Sequence, residues 1–541
     1  MPQKLILVLS LLFAAAANAQ TVSKVRAADN GDGTYKNPVI NADYSDPDAI
    51  RVGNDYYMTA SSFNSVPGLP ILHSKDLVNW RIINHAIREL EPADVFARPQ
   101  HGGGVWAPAI RYHNGEYYIY YGDPDFGVFM TKAKDPAGEW STPLLVKAAK
   151  GWIDPCPFWD DDGNAYLVHA FAGSRAGIKS VLVVNRMSRD GTRLPDDGVM
   201  VFDGHDADPT VEGPKLYKLN GYYYILAPAG GVATGWQLAL RSKNIYGPYE
   251  RRVTLAQGRT AVNGPHQGAL VDTPAGEWWF LHFQDKGPYG RVVHLQPTVW
   301  KNGFPVMGSD PDADGTGEPV LTFKKPNVVA TFPIMTPQDS DEFEGAALGP
   351  QWQWHANPKA EWAFPFPTRG VLRMNSVERE LGANKLWEAP NLLLQKFPAD
   401  EFTATAKVTL TSRVDGERFG LMVMGSSYSL IGVEKQGNAL MVQRSTAIDA
   451  DKGILGDLGR AETLSGDVSA PFYLRVSVAK GAVCTFSYSS DGKSFKVLGE
   501  SFTAREGRWI GAKIGFVFTR PARFNDAGSA DIDWIRFEPN R

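Results

Sequence analysis

The chain has 541 residues, which is too long for one hydrophobic core, so two or more domains are expected. Its formal net charge of −4 is small and no basic cluster is interleaved with aromatic residues, which excludes an electrostatic nucleic-acid-binding surface. Glycine and proline are plentiful (54 and 37 residues), short alternating segments are common and long amphipathic stretches are hard to find, which predicts an all-β protein.

The N-terminus has the pattern of an export signal. Lys4 provides a positive charge, residues 5–16 form a short apolar run, and Ala17 and Ala19 form a small-x-small cleavage site. We therefore expect residues 1–19 to be a signal peptide and the mature protein to be periplasmic or secreted in a bacterium. No cysteine follows the cleavage site and no later segment is apolar enough to cross a bilayer, so no membrane anchor is expected.

Five later stretches share one pattern: a lead residue, usually a small residue or proline, an apolar strand, a turn and an aromatic strand. The leads lie 48 to 60 residues apart and are Asp46, Trp106, Asp154, Glu212 and His266. A period of about fifty residues built from strand–turn–strand units predicts a β-propeller. Because the same position of every blade faces one axis, the three carboxylates among these leads should meet.

Such a carboxylate cluster has two chemical interpretations. Burial and mutual repulsion should raise the pKa of at least one acid, and a protonated acid beside an ionised one can cleave a glycosidic bond. The alternative is a hard metal ion held by several oxygen ligands. His266 suits a buried core histidine, a hydrogen-bond partner or a ligand at the propeller centre. If all five hairpins were only scaffold, acidic residues at strand starts would have no explanation.

The repeat pattern ends near residue 325. Residues 310–319 and 324–338 are rich in proline, glycine and aspartate, and from residue 340 short alternating segments predict a β-sandwich. We place the propeller at residues 30–330 and the sandwich at residues 337–541. The sequence leaves open whether the second unit binds ligand, closes the cleft of the first or stabilises it.

Five motifs resemble, in order and approximate spacing, those of glycoside hydrolase family 43. They are SDPD at residues 45–48, VWAP at 105–108, IDPCP at 153–157, VEGP at 211–214 and PHQGA at 265–269. The resemblance covers nearly the whole first unit, and the C-terminal unit is similar to the β-sandwich of the xylosidase and arabinofuranosidase branch. It implies a five-bladed β-propeller followed by a concanavalin-like β-sandwich.

The resemblance implies roles for the three acidic leads. Asp46 falls on the general base, Glu212 on the general acid, and Asp154 on a third carboxylate that orients the acid and tunes its pKa. The family inverts configuration, so the first two carboxyl groups should stand about 6.5–9.5 Å apart to admit a water molecule.

Other positions match the family's sugar pocket. Phe63 and Trp106, whose flanks are rich in glycine and proline, match aromatic walls, and Arg291 matches an arginine that hydrogen-bonds the sugar. His266 matches a central histidine near a bound ion or water, so it is a candidate for substrate contact or metal binding. Asp48 departs from the pattern as an extra acid beside the base, and we expect it to hydrogen-bond backbone in the turn rather than to take part in catalysis.

Several expectations concern the second unit and the cysteines. Glu342 and Asp533 are candidate ligands for a structural calcium ion, although the implied reaction requires no cofactor. Relatives place an aromatic residue of the second domain over the sugar pocket, for which Phe518 and Phe524 are candidates. The two cysteines, Cys156 and Cys484, fall in different units, so free buried thiols are expected.

The implied function is that of an exo-acting inverting glycoside hydrolase. It would release terminal α-L-arabinofuranosyl units from plant hemicellulose oligosaccharides, with β-D-xylosyl removal as a second activity. The alternatives are a dedicated β-xylosidase or an endo-arabinanase, and, outside enzymes, a catalytically silent sugar-binding propeller. The expected partners are arabinose- or xylose-containing oligo- and polysaccharides, and no nucleic acid.

Overall fold

The computed structural model describes residues 22–379, 385–464 and 467–540. The predicted signal peptide lies outside these residues. The described chain forms a five-bladed β-propeller followed by a β-sandwich, which confirms the predicted fold class. Helices are short, the α-helical segment being Gly173–Ala176, and the described residues contain no helix long and apolar enough to cross a membrane.

Five four-stranded antiparallel sheets, each built from consecutive strands, form the blades of the propeller. The strands are Asp48–Val52, Asp55–Thr59, Gly68–Ser74 and Trp80–Ile87 in blade 1; Trp106–His113, Glu116–Asp123, Gly127–Ala133 and Leu144–Ala148 in blade 2; Trp152–Trp159, Ala165–Phe171, Val181–Met187 and Val199–Asp203 in blade 3; Lys215–Leu219, Tyr222–Ala229, Trp236–Ser242 and Glu250–Leu255 in blade 4; and His266–Asp272, Trp278–Asp285, Arg291–Lys301 and Phe304–Met307 in blade 5. The first strands of blades 5, 1, 2, 3 and 4 follow one another around the axis. Each lead therefore lies near that axis.

Turn chemistry explains why the blades begin with tight hairpins. In blade 2 the pair His113 and Glu116 faces across a two-residue loop of Asn114 and Gly115, whose φ angles are 49° and 83°. Left-handed backbone at both positions is what a tight hairpin turn needs, and asparagine and glycine adopt it at low cost. The two strands consequently lie in register, with aromatic side chains on the second.

Two segments far apart in the chain close the propeller. The strand Thr34–Lys36 pairs antiparallel with Thr322–Lys324, and Ile40 forms a two-way backbone bridge with Val293 of blade 5. The residues before blade 1 are thereby fixed against the last blade and the segment that follows it. Asp46 is positioned by both ends of the propeller sequence.

The second unit packs two antiparallel sheets face to face around an apolar core. One contains Gln353–Trp354, Leu393–Lys396, Lys513–Arg520, Arg418–Met424, Tyr428–Gln436, Ala439–Ala447 and Asp457–Leu458, joined by Val377–Glu378 and Glu462–Leu464; the other contains Ala363–Phe366, Val371–Asn375, Ser529–Glu538, Phe402–Thr411, Phe472–Ala479, Val483–Ser489 and Lys496–Val497, joined by Phe502–Thr503. Alternation explains the core: in Phe472–Ala479 every second residue is buried. Where the chain passes from one domain to the other stays a prediction.

Specific contacts fix the sandwich against the propeller. Val66 and Trp354 exchange two backbone hydrogen bonds, and the Lys513 ammonium donates to Ser65 Oγ at 2.6 Å. Asp43 accepts a hydrogen bond from the Gly511 amide at 3.0 Å. The propeller residues in these contacts lie before blade 1 and between its second and third strands, so the sandwich packs against blade 1. Both cysteines of the chain are free and buried, as predicted.

Candidate active site

Four of the five lead residues line one pocket. Asp46, Trp106, Asp154 and Glu212 contribute to a cavity of about 190 Å³ between the starts of the first strands. His266 is fully buried and lies behind the Glu212 carboxyl group. The structure therefore brings together the three acidic side chains that the repeat pattern predicted to meet.

Local backbone geometry aims the leads at the pocket. Asp46 and Asp154 have left-handed backbones, with φ of 54° and 58°, and Gly213 beside Glu212 has φ of 57°. The first strands of blades 2, 3 and 5 also shift register close to their leads. A left-handed residue or bulge at a strand start turns a side chain that would otherwise follow the sheet pleat. The repeat therefore supplies the same turn toward the axis in each blade.

Asp46 is held by three donors. Its Oδ2 accepts hydrogen bonds from Ser45 Oγ and Ser61 Oγ, both at 2.6 Å, and Arg291 Nη1 lies 3.4 Å from Oδ1. Ser61 Oγ also accepts a hydrogen bond from the Ala107 amide at 2.7 Å, which ties this carboxylate to blade 2. A carboxyl group surrounded by donors suits the ionised form, which can only accept.

Glu212 has a different environment. Its Oε1 lies 3.0 Å from His266 Nε2, and its side chain is 30% exposed toward the pocket. The His266 ring is completely buried, and its Nδ1 has no hydrogen-bond partner among the described residues. The histidine thus takes the hydrogen-bond role among the three that the sequence left open. It fixes one carboxyl oxygen of Glu212 and leaves the other available to a ligand.

Asp154 lies between these two acids and is the most deeply buried of the three. Its Oδ2 accepts a hydrogen bond from the Gly213 amide at 2.7 Å, next to Glu212. Burial raises the pKa of Asp154 well above its usual range, and the charges of Glu212 and Asp46 act in the same direction. The sequence predicted a raised pKa somewhere in the cluster. The structure therefore places a carboxyl group with a raised pKa beside Glu212 and Asp46.

Aromatic rings and one arginine form the remaining walls. Phe63 and Trp106 meet edge to face with their centroids 6.4 Å apart. The Arg291 guanidinium donates to Ser45 Oγ at 2.7 Å beside Asp46. Three of the four predicted substrate-contacting side chains, Phe63, Trp106 and Arg291, line the cavity, whereas His266 does not. Flat apolar faces next to a fixed cation and carboxylates can bind a polyhydroxylated ring.

The sandwich contributes an aromatic side chain to this pocket, but neither predicted phenylalanine is the one. Trp509 lines the cavity, with its ring edge to face with Trp106 at 6.3 Å and the Arg291 guanidinium 5.7 Å from its centroid. Phe518 is fully buried in the sandwich core because it lies on a central strand, and Phe524 is an exposed residue outside the pocket. The loop before that strand, rather than the strand itself, reaches the pocket.

The metal candidates are engaged by protein groups. His266 contacts Glu212, Glu342 forms a two-bond ion pair with Arg536, and Asp533 lies 3.3 Å from Lys407. Among the residues that the structure describes, no group of three or more histidine, cysteine or acidic side chains is arranged to hold a metal ion. The residues do not form a ligand set as placed, and the calcium site stays a prediction.

Sequence reasoning missed three residues that shape the site. Ser61, Trp509 and Lys215 are not lead residues. Ser61 holds Asp46, Trp509 lines the pocket from the second domain, and Lys215 donates to the Pro108 carbonyl of blade 2. The run of glycine, arginine and tryptophan at residues 507–509 is a signal for an exposed aromatic loop. For Lys215, the signal in the sequence is a lysine at the start of an apolar strand.

Comparisons with known proteins agree with this geometry. The model of Glycosyl hydrolases family 43 matches residues 35–305, and that of the Beta xylosidase C-terminal Concanavalin A-like domain matches residues 340–538. A putative beta-xylosidase of Xylanibacter ruminicola is 42% identical over 91% of this chain and 87% of its own length.

A non-reducing end alpha-L-arabinofuranosidase of Bacteroides ovatus is 30% identical over 77% of this chain and 79% of its own. The solved structure of the Bacteroides ovatus xyloglucan PUL GH43B protein superposes with a TM-score of 0.79 at 26% identity, covering 94% of this chain and all of that one. Because the family model matches half of the chain and the Xylanibacter relative is similar over nearly all of it, the chain belongs to glycoside hydrolase family 43.

Proposed function

We propose that the chain is an exo-acting inverting glycosidase that releases β-D-xylosyl units from the non-reducing ends of hemicellulose oligosaccharides. It accepts terminal α-L-arabinofuranosyl units as a second substrate. The observation that carries this proposal is the meeting of three carboxyl groups with different environments in one small aromatic-walled pocket. A binding protein has no use for a retained proton between two carboxyl groups, whereas glycoside hydrolysis requires one.

The proposed reaction uses the three acids in separate roles. Asp46 removes a proton from a water molecule while the water oxygen forms a bond to the anomeric carbon. Glu212 gives its proton to the glycosidic oxygen as the bond from the anomeric carbon to that oxygen breaks. The water proton ends on Asp46, the product has inverted configuration, and each acid contributes on the order of 10²–10⁴-fold.

Asp154 helps Glu212 to act as the acid through its position and its effect on protonation. Its hydrogen bond to the Gly213 amide holds it against the backbone that carries Glu212. Burial raises the pKa of Asp154 and makes a second negative charge costly, so the pair keeps one proton until the leaving group takes it. The His266 contact holds the acid in place during the transfer.

The preferred sugar differs from the sequence-based expectation. The sequence favoured arabinofuranosyl as the main unit, whereas the Xylanibacter relative and the matched sandwich model are both named for β-xylosidase. The relative named as an arabinofuranosidase supports the second activity. Both sugars present similar hydroxyl patterns to one pocket, so a single site can accept both.

Exo action is supported by the position of Trp509. This side chain comes from the sandwich and lies against Trp106 at the pocket wall, where an endo-acting cleft would have to continue. A cavity of about 190 Å³ has room for one monosaccharide unit rather than for a run of them. Oligo- and polysaccharides of the xylan and arabinoxylan kind are therefore bound by their ends.

The proposal is tested by two nitrophenyl glycosides and product analysis. We expect kcat/KM on the aryl β-D-xyloside to exceed that on the aryl α-L-arabinofuranoside, and proton NMR of xylobiose cleavage to show the α-anomer of xylose first. Release of internal fragments from xylan or arabinan would contradict exo action. Sugar binding without turnover on either glycoside would support the silent propeller instead.

Variants of the two catalytic candidates assign their roles. Asp46→Asn should abolish turnover on both glycosides, whereas Glu212→Gln should retain most activity on substrates whose leaving group needs no proton. Glu344→Gln replaces an exposed carboxylate of the sandwich and serves as the matched control. Equal losses for Glu212→Gln on activated and unactivated glycosides would contradict its role as the acid.

A further inference from the structure

A layer of polar side chains lies directly beneath the carboxylates and joins all five blades. Arg111 of blade 2 donates to Asp48 Oδ2 of blade 1 at 2.6 Å and to Cys156 Sγ of blade 3 at 2.9 Å. Its guanidinium carbon lies 5.5 Å from the ring centroid of Tyr217 in blade 4, whose hydroxyl accepts the Leu270 amide of blade 5. Each member follows a lead residue by two to five positions.

The partners of Asp48, the extra acid beside the base, all lie within this layer. Its Oδ2 accepts a hydrogen bond from a backbone amide at 2.8 Å, as predicted, but that amide belongs to Ile110 of blade 2 and not to the turn. It also forms the ion pair with Arg111. The charges of that pair cancel. Asp48 is therefore a structural acid, and the layer needs no further cation to balance it.

Lys215 is a second cation in the same layer, but no carboxylate forms an ion pair with it among the described residues. The residue is completely buried at the first position of its strand in blade 4, and its ammonium donates to the Pro108 carbonyl of blade 2 at 3.0 Å. The described residues give it no carboxylate partner at ion-pair distance. A side chain that spans from blade 4 to blade 2 must pass blade 3, whose lead is Asp154.

Burying an ammonium group against a neutral carbonyl is costly, by several kcal/mol for an ion without a counter-charge. A methionine of similar length would fill the same space without that cost. The negative charge on which this ammonium group acts is that of the carboxylate cluster. The electrostatic influence of Lys215 on Asp154 opposes the effects of burial and of the neighbouring acids.

We propose that Lys215 is a positioning residue for the proposed hydrolysis, and that its buried ammonium offsets from beneath the mutual repulsion of the three carboxyl groups. The inference rests on the proposed function, since it concerns how those groups share protons. On this proposal, Lys215 determines the pH range in which the general base is ionised and the general acid is still protonated.

The sign of the expected effect follows from the charges that face the cluster. The groups concerned are Asp46, Asp154, Glu212, His266 and Arg291 around the pocket floor and Asp48, Arg111, Cys156 and Tyr217 in the layer beneath. Removing the positive charge of Lys215 strengthens proton binding by every carboxyl group. Both limbs of the bell-shaped pH–rate profile therefore move to higher pH.

The test compares Lys215→Met with the native enzyme over a pH series. We expect both limbs of the profile to move up by about one pH unit, and kcat on the acid limb to fall about tenfold at fixed pH, with little change in KM. The thermal midpoint should be unchanged or higher, because the cost of the buried charge is removed. Lys215→Gln keeps a donor for the Pro108 carbonyl without the charge and should show the same displacement.

Lys513→Met is the matched control. Lys513 is another buried lysine that donates to a neutral acceptor, and burial lowers its pKa to about 7. It lies at the domain interface, so its replacement should leave both limbs in place. A folded Lys215→Met or Lys215→Gln enzyme with native limbs would overturn the proposal. Failure of both to fold, while Lys513→Met folds, would make Lys215 part of the scaffold and overturn it as well.

The outcome is separable from that of the proposed function. If Asp46→Asn and Glu212→Gln keep full activity, the assignment of the acid and base fails. If those variants lose activity while the Lys215 variants keep the native profile, the inference about Lys215 fails alone.

Discussion

At the scale of single residues, backbone strain concentrates around the pocket that the three carboxyl groups line. Eight non-glycine residues that line it have φ between 30° and 64°, and they are Asp46, Phe63, Ala107, Asp154, Ser180, Thr210, Gln267 and Trp509. Left-handed backbone at such residues costs about 1 to 3 kcal/mol each and persists only where the surroundings enforce it. The backbone around the pocket therefore lowers the stability of the fold, and in return it directs these side chains into the pocket.

The strain is accompanied by an electrostatic cost at Asp154. Burial first, and then the charges of Glu212 and Asp46, raise the pKa of its carboxyl group. A group whose pKa is raised on folding contributes its full stability below the ordinary carboxyl pKa of about 4, and this is lost as pH rises through the raised value. The buried Asp154 carboxyl group therefore lowers the free energy of unfolding of the native protein at neutral pH.

Asp154→Asn should remove that term and expose its role in catalysis. We expect the variant to have a higher thermal midpoint than the native protein at pH 7. The difference should shrink toward pH 4, because the native Asp154 carboxyl group is protonated at that pH. The alkaline limb of the pH–rate profile should move to lower pH, since the remaining acid has lost the neighbour with which it shared a proton. A midpoint below that of the native protein at pH 7 would contradict this account.

At the scale of the strands, the five blades are joined by side chains as well as by packing. The first strands of the blades face the axis, and they carry polar groups that bond from one blade to the next. Arg111 connects four of these first strands, and the Tyr217 hydroxyl reaches the fifth. One guanidinium group therefore bridges the strand that follows Asp46 and the strand that contains Asp154.

Arg111→Met should test this connection. Asp48 is completely buried, so removing its cation leaves an unpaired carboxylate and should lower the free energy of unfolding by about 3 to 5 kcal/mol. Asp48→Asn in the same chain should restore most of the loss, because the Ile110 amide still has an acceptor. Urea denaturation of both variants measures the effect, and equal instability of the single and double variants would refute it.

At the scale of the whole molecule, the active site belongs to both domains. Trp509 comes from the sandwich, and Asp43 links the Arg291 amide of blade 5 at 2.9 Å to the Gly511 amide of the sandwich at 3.0 Å. One carboxylate thus fixes the backbone of the pocket arginine and that of the tryptophan loop. The second domain is part of the sugar pocket, and neither domain alone would present the same cavity.

Trp509→Ala should weaken substrate binding more than turnover. Loss of an aromatic wall that contacts Trp106 and the Arg291 guanidinium removes about 1 to 2 kcal/mol, or roughly five- to thirtyfold in KM. The wider opening should also admit longer chains, seen as internal cleavage products of xylan. Phe524→Ala, at an exposed residue outside the pocket, is the control. An unchanged KM with no new products would contradict a binding role for Trp509.

Local signals were enough to predict the fold and the acidic cluster. The lead–strand–turn–strand pattern recurs at every blade, and hairpin residues such as Asn114 and Gly115 encode their turns within a few positions. The equivalence of Asp46, Asp154 and Glu212 follows from that repetition, because identical local geometry in a closed ring directs equivalent side chains to one axis.

The tertiary structure alone decided which distant groups complete the site. Trp509 meets Trp106 across about 400 residues of chain, and Lys215 reaches Pro108 through the centre of the ring. Neither contact belongs to a repeat, so no periodicity in the sequence reports it. Local pattern determines where a strand begins and which way its first side chain turns, whereas contacts between blades and domains depend on how separately encoded surfaces pack together.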